Sequence, residues 1–270
     1  MPELPEVETT CRGIEPYLVG QKVVEITIRQ PRLRWPIPIS LQQLRGQKIQ
    51  SVKRRGKYLL LKADHGTVIL HLGMSGSLRI VDSDYSVKKH DHVDFVLNKG
   101  KTLRFHDPRR FGSVLWTQED PYQHRLLQSL GIEPLSTDFN GEYLAQRAKN
   151  RKVVVKNFIM NAHIVVGIGN IYASESLFLA GIHPQRASGS LTLRNYKKLA
   201  ESIQKILRAA ITQGGTTLRD FVNESGQPGY FAQKLQVYGR KGEPCLVCDA
   251  AIQQIKLGQR TSYFCKNCQF

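Results

Sequence analysis

The spacing of apolar and polar residues divides the chain into a leading helix, a region of short strands and a region of helices. Residues 5–18 repeat apolar side chains every three or four positions, which is the period of an amphipathic helix. Short runs of β-branched and aromatic residues, bounded by turn residues, then predict strands at 22–29, 48–54, 58–62, 68–72, 77–81, 92–97, 102–106 and 113–117. Such a series of short strands indicates a β-sandwich or a β-barrel.

Beyond residue 121 the apolar spacing becomes helical. It predicts helices at 140–148, 153–161, 170–180 and 192–213, and Gly214 with Gly215 stops the last of them. A compact cysteine-rich unit occupies 239–270. The fold class is therefore α+β, with a β domain, a helical domain and a metal-binding appendage.

Four of the five cysteines lie in the tail as two pairs, Cys245 with Cys248 and Cys265 with Cys268. Two CxxC knuckles at this distance predict one tetrahedral zinc ion. Four thiolates leave no open position for water, so we expect a structural zinc. Segments 251–255 and 260–264 read as a hairpin whose loop, with Lys256, Gln259 and Arg260, suits contact with DNA. The fifth cysteine, Cys11, is expected to be a buried, unreactive helix residue.

The charge balance favours a polyanionic partner, because 39 Lys and Arg residues face 22 Asp and Glu residues and the net charge is +17. No apolar run approaches the length of a transmembrane helix, and the acidic N-terminus lacks the order of a signal peptide. We therefore expect a cytoplasmic protein that does not enter the membrane, and nucleic acid as its partner.

The N-terminus offers a candidate nucleophile, since removal of Met1 would leave Pro2 with a free secondary amine. An α-amino group has a pKa of about 7.7–8.0, against about 10.4 for lysine, so more of it is neutral at pH 7. A secondary amine that attacks a sugar carbon becomes an iminium directly. Glu3 and Glu6 could supply a general acid. The alternative is a trimmed methionine followed by an ordinary acidic helix start.

Six motifs appear in order: MPELPEVET at the start, RGKYLLL at 55–61, HLGMSGSL at 71–78, DPRRFG at 107–112, GIGNIYASE at 167–175 and the terminal knuckles. Over essentially its whole length the chain resembles bacterial formamidopyrimidine-DNA glycosylase. The related endonuclease VIII enzymes typically open with PEGPE rather than PELPE.

The resemblance implies an N-terminal catalytic β-sandwich with a leading helix at 1–120, a helix–two-turn–helix DNA-binding domain at 121–238 and a zinc-finger β-hairpin at 239–270. It implies a monomer that removes oxidised purines, such as 8-oxoguanine and formamidopyrimidines, from double-stranded DNA. It further implies cleavage of the strand by β,δ-elimination through a Schiff base, with one structural zinc per chain.

The resemblance also assigns the catalytic residues. Pro2 would attack C1′ of the damaged nucleoside, and Glu3 would act as general acid and base. Lys57 would assist β-elimination and contact the phosphate beside the lesion, although a strand-edge lysine at a turn is the plain alternative. Arg260 would serve δ-elimination and grip a phosphate.

An enzyme that acts on a base within a duplex must extrude the nucleotide, and Met74, Arg109 and Phe111 match the residues that fill the resulting void. Ordinary core packing is the alternative for Met74 and Phe111. The segment 217–230 matches the loop that closes over the extruded base. The remaining DNA contacts implied are His71, His90, Arg151, Asn170 and Tyr238. Relatives often carry Lys at the position of Arg151, and Asn170 could also be a plain helix N-cap.

Two other functions compete. An endonuclease VIII-like enzyme would run the same chemistry on oxidised pyrimidines, but the opening motif and the pair Arg109 and Phe111 speak against it. A non-catalytic zinc-dependent DNA-binding protein would not need Pro2, Glu3 and Lys57 together.

Overall fold

A computed structural model describes residues 1–215 and 235–270. The described chain divides into two compact units. The first contains Met1–Ser129 with 213–215, and the second contains Leu130–Thr212 with 235–270. Within these ranges no helix is both long enough and apolar enough to cross a membrane.

The first unit contains all eight predicted strands, and their ends differ from the prediction by at most two residues. They are β1 (Val23–Ile28), β2 (Ile49–Arg55), β3 (Tyr58–Ala63), β4 (Gly66–His71), β5 (Ser77–Asp82), β6 (Asp91–Leu97), β7 (Lys101–His106) and β8 (Ser113–Thr117). They pair in two antiparallel sheets, of order β1-β6-β7-β5 and β2-β3-β4-β8. Side chains of both sheets enter one hydrophobic core, so the sandwich is confirmed.

The leading helix α1 (Leu4–Leu18) closes this core. Val7, Cys11, Ile14 and Leu18 are buried on one face, as the spacing predicted. The helix begins with a capping box, in which Glu3 and Glu6 satisfy each other's backbone N–H groups. The sequence therefore sets both the buried face of α1 and its start.

The second unit contains helices α2 (Gly141–Ala148), α3 (Val155–Ile159), α4 (Asn170–Ala180) and α5 (Leu193–Thr212). The prediction for α3 was too long at both ends. Val154 forms an extended bridge with Ala187, and the Val155 N–H donates to the Arg186 carbonyl at 2.7 Å. Three successive β-branched valines lower helix propensity, so this tertiary pairing determines where α3 starts.

The tail forms a hairpin of β9 (Gln253–Leu257) and β10 (Arg260–Phe264). The prediction placed the first strand two residues too early. Lys256 is therefore paired with Thr261 inside the hairpin, and only residues 258–259 form the turn. Gly258 has φ +60°, which the tight turn requires and glycine adopts freely. Arg260 follows the turn directly.

Candidate functional site

The N-terminal residues of the first unit are buried and hydrogen-bonded within the start of α1. Pro2 and Glu3 are both buried, and the Glu3 N–H donates to Glu6 Oε2 at 2.8 Å. Two carboxylates therefore lie within one helical turn of the backbone that carries Pro2. The positive end of α1 also favours a neutral amine and charged carboxylates.

Lys57 lies in the two-residue turn between β2 and β3. Gly56 precedes it with φ +58°, the left-handed conformation that a tight hairpin demands at this position. Arg55 pairs with Tyr58 on either side of the turn. Lys57 is therefore a half-buried lysine in a short turn whose flanking residues are paired.

His71, at the end of β4, lies beside this turn. Its ring is 4.8 Å from the ring of Tyr58, and its Nδ1 accepts a hydrogen bond from the Gly73 N–H at 2.9 Å. Burial, together with the positive charges of Lys57 and Arg34, lowers the pKa of His71 to about 4. The imidazole is therefore neutral, with its proton on Nε2, and can donate one hydrogen bond.

Two backbone loops place the proposed void-filling residues together. Gly73 has φ +66°, and a Cβ there would collide with the backbone of Phe111 and Gly112. This close approach places Met74 next to the loop of Arg109 and Phe111, whose guanidinium and ring are 5.0 Å apart. Met74 is 37% exposed and Phe111 45% exposed, so the structure places neither in the core.

Asp107 organises both loops, and sequence reasoning missed it. It is fully buried, and its two carboxylate oxygens accept from Ser75 Oγ at 2.9 Å and from the Gly112 N–H at 2.8 Å. Its backbone N–H donates to the His90 carbonyl at 3.0 Å. Its place at the start of the motif DPRRFG could have marked it as a candidate. The structure adds the reason: a buried carboxylate needs several hydrogen-bond donors, and the two loops supply them.

A buried ion network holds the segment that leads to His90. Arg104 is 2% exposed and donates to both carboxylate oxygens of Asp94 at 2.9 Å. Its remaining nitrogen donates to the carbonyls of Tyr85 and Ser86 at 3.1 and 3.2 Å. Arg104 lies on the face of β7 opposite the core residues Leu103 and Phe105, and the sequence pattern did not show that this face is covered at Arg104.

Asn170 is not the N-cap of α4; Gly169 takes that position. The Asn170 side chain instead accepts from Lys156 Nζ at 2.6 Å and donates to the Thr261 carbonyl at 2.9 Å. Lys156 is 1% exposed and also donates to Ser262 Oγ at 2.7 Å. This buried lysine, which sequence reasoning missed, joins α3 and α4 to the hairpin.

Tyr238 is held by a second buried charge in the same unit. The Glu175 carboxylate accepts hydrogen bonds from the backbone N–H groups of Gln236, Val237 and Tyr238 at 2.8, 3.0 and 2.8 Å. The Tyr238 ring packs edge-on against Tyr263 of β10, at 5.1 Å. The position of Glu175 in the motif GIGNIYASE was the signal for it.

The four tail cysteines come together as predicted. Their Sγ atoms all lie within 4.8 Å of one another, and the pairs Cys245–Cys268 and Cys248–Cys265 are 3.9 and 3.5 Å apart. A zinc ion with Zn–S bonds of about 2.3 Å needs tetrahedral S···S edges of about 3.8 Å. The donor set fits one zinc ion with no position left for water. Cys11 is buried as expected, and burial raises its pKa to about 12, which disfavours the reactive thiolate.

The predicted site residues therefore fall into two sets. Those of the first unit are Pro2, Glu3, Lys57, His71, Met74, His90, Arg109 and Phe111. Those of the second unit are Arg151, Asn170, Tyr238, Arg260 and the four cysteines, with Arg151 and Arg260 both exposed. The predicted loop 217–230 lies outside the described residues.

Known proteins match this chain along its length. Residues 1–114 match the formamidopyrimidine-DNA glycosylase N-terminal domain, 130–222 the formamidopyrimidine-DNA glycosylase H2TH domain, and 242–269 a zinc finger found in Fpg and IleRS. Formamidopyrimidine-DNA glycosylases of Alcanivorax borkumensis and Nitrosococcus oceani are 56% and 57% identical to it, with full coverage of each pair of chains.

Solved structures agree with these matches. The MutM (Fpg) protein of Thermus thermophilus is 35% identical, with a TM-score of 0.90 over 99% of this chain and 98% of that one. The Lactococcus lactis Fpg in complex with DNA containing an abasic site is also 35% identical, with a TM-score of 0.91 over 99% of each chain.

The fold and the four-cysteine site define a two-unit α+β protein that ends in a zinc finger. The chain belongs to the formamidopyrimidine-DNA glycosylase family. The predicted family, fold class and single zinc ion are thereby confirmed, while the roles of individual residues remain predictions.

Proposed function

We propose that this protein is a bifunctional base-excision repair enzyme that removes oxidised purines from double-stranded DNA and then cleaves the strand at the abasic site. The observation that carries the proposal is the N-terminus, where Pro2 and two buried carboxylates are fixed by the capping box of α1. Relatives named formamidopyrimidine-DNA glycosylase, and a Lactococcus lactis relative solved with abasic DNA, support the substrate class.

The chemistry follows from the N-terminal amine once Met1 is removed. The Pro2 nitrogen forms a bond to C1′, and the glycosidic bond breaks with its electron pair on the departing base. The bonded nitrogen gives up its proton, and the departing base takes up one proton, so the charges balance. Glu3 delivers a proton to the ring oxygen as the sugar opens, which leaves an iminium on Pro2. Loss of a C2′ proton then expels the 3′ phosphate. Lys57 assists this step, and Arg260 assists the second elimination at the 5′ side.

The other proposed residues grip and deform the duplex. His71, His90, Arg151, Asn170 and Tyr238 contact the backbone, which positions the DNA without reading its sequence. Met74, Arg109 and Phe111 occupy the space of the extruded nucleotide, and their exposure on two loops supports this role. We assign catalysis to 1–120, DNA binding to 121–238 and the zinc finger to 239–270, in a monomer that works in the cytoplasm.

Covalent trapping tests the proposal. The protein is mixed with a duplex that carries 8-oxoguanine opposite cytosine, borohydride is added, and the crosslinked residue is mapped by mass spectrometry. Because borohydride reduces an iminium, we expect one crosslink at Pro2. A parallel duplex with an oxidised pyrimidine should react more slowly.

Two variants serve as controls. A preparation that retains Met1 has its Pro2 nitrogen in an amide and should form no crosslink, whereas Lys57→Ala should still form it. A crosslink at Lys57, or equal trapping by the Met1-retaining protein, would contradict the assignment of the nucleophile.

A further inference from the structure

A row of contacts inside the first unit connects α1 to the turn that carries Lys57. Glu8, in the second turn of α1, accepts a hydrogen bond at Oε2 from Arg54 Nε at 2.8 Å. The same guanidinium donates from Nη1 to the Gly56 carbonyl at 3.0 Å. One arginine therefore joins the helix to the peptide group that directly precedes Lys57.

The Gly56 carbonyl is a sensitive point in this turn. Only two residues, Gly56 and Lys57, separate the paired Arg55 and Tyr58. A peptide group is planar, so the orientation of the Gly56–Lys57 peptide determines the direction in which the Lys57 side chain leaves the backbone. Gly56 has φ +58°, but a glycine can adopt other backbone angles at little cost, so the glycine alone does not fix the orientation of this peptide group. The hydrogen bond from Arg54 selects one orientation.

The Glu8 carboxylate is ionised and shared by two arginines. Burial raises its pKa, but hydrogen bonds from Arg54 and Arg12 outweigh this effect and hold the pKa below its usual value. The Arg54 side chain is 10% exposed and the Arg12 side chain 65% exposed. Solvent therefore screens the pair with Arg12 much more than the pair with Arg54. Arg12 is the matched control, because it binds the same carboxylate without touching the turn.

We propose that Glu8 is a positioning residue for Lys57 and acts through Arg54 and the Gly56 carbonyl. This inference rests on the proposed function, because it requires Lys57 to act at the abasic site. Glu8 holds the Arg54 guanidinium in place, and Arg54 in turn holds the Gly56–Lys57 peptide group. The orientation of this peptide group then sets the direction of the Lys57 side chain.

The primary test uses a preformed abasic site, so that base excision does not limit the rate. Glu8→Gln keeps the size of the side chain and removes its charge. Strand cleavage at saturating enzyme should slow by about tenfold to a hundredfold, as expected for a displaced catalytic group. Affinity for undamaged duplex should not change, and Arg12→Gln should cleave at the wild-type rate. If Glu8→Gln does not fold, Glu8→Asp replaces it, since the shorter acid cannot reach Arg54 in the same geometry.

A double-mutant cycle with Lys57→Ala decides between positioning and general support of the fold. If Glu8 acts through Lys57, Glu8→Gln costs nothing further once Lys57 has been removed. An equal loss in both backgrounds, or wild-type cleavage by Glu8→Gln alone, overturns the inference. Wild-type cleavage by Lys57→Ala would instead refute the proposed role of the lysine, so the two failures are distinguishable.

Discussion

Replacement of the buried Lys156 by methionine should loosen the zinc hairpin from the helices of the second unit. Lys156 Nζ donates to Asn170 Oδ1 at 2.6 Å, to Ser262 Oγ at 2.7 Å and to the Thr261 carbonyl at 3.4 Å. Methionine fills nearly the same volume but donates no hydrogen bond. The variant therefore leaves the hydroxyl of the fully buried Ser262 and the amide oxygen of Asn170 without this donor.

The magnitude follows from these contacts. A hydrogen bond to a charged group contributes about 1.5–3 kcal/mol, and two of the three are short. Release of the ammonium from a buried position offsets part of the loss. The net destabilisation of the hairpin should be about 2–4 kcal/mol, which corresponds to an increase of about 30-fold to 1,000-fold in its opening equilibrium.

Amide hydrogen exchange measures this opening directly. Exchange in β9 and β10 should accelerate by about the stated factor in Lys156→Met, because local opening limits exchange there. Lys152→Met changes an exposed lysine of the same region and should leave these rates unchanged. Wild-type exchange rates in the Lys156→Met hairpin would refute the reasoning.

Four further outcomes test other parts of the molecule. Cys265→Ser should lose the zinc ion and weaken duplex binding, whereas Cys11→Ser should keep both; metal content and a binding titration check this. Arg109→Ala should lose about 1–3 kcal/mol of discrimination for cytosine opposite 8-oxoguanine. Arg260→Ala should weaken binding to every duplex alike and lower the slope of log affinity against log salt concentration by roughly 1. Excision opposite all four bases at two salt concentrations separates the base-dependent loss expected for Arg109→Ala from the uniform loss expected for Arg260→Ala. His71 takes up a proton near pH 6.5 when unfolded but only near pH 4 when folded, so this residue should lower the free energy of unfolding by about 2 kcal/mol between pH 7 and pH 5. The decrease should be smaller by about this amount in His71→Asn, where His106, whose pKa is also lowered, still contributes. The fluorescence of the two tryptophans, both in the first unit, reports the unfolding.

The sequence by itself determined those features that depend only on residues close together along the chain. Short runs of β-branched and aromatic residues between turns predicted all eight strands of the sandwich, because such side chains suit strands that pack on a shared core. The spacing of Val7, Cys11, Ile14 and Leu18 predicted the buried face of α1. The spacing of the four cysteines predicted the zinc site, since each knuckle presents two thiolates through its own short turn.

Only the tertiary structure decided the partners of the buried charged residues. Lys156 and Asp107 bond to residues far along the chain or in other loops, and no periodicity records such partners. The same holds for α3, which starts late because Val155 bonds to Arg186 across the unit. An N-cap was the plain alternative for Asn170, but Gly169 takes that position and the Asn170 amide bonds to Lys156 and Thr261 instead. Local patterns reveal which faces are buried, whereas the hydrogen bonds that hold a functional side chain depend on which distant segments the folded chain brings within about 3 Å of one another.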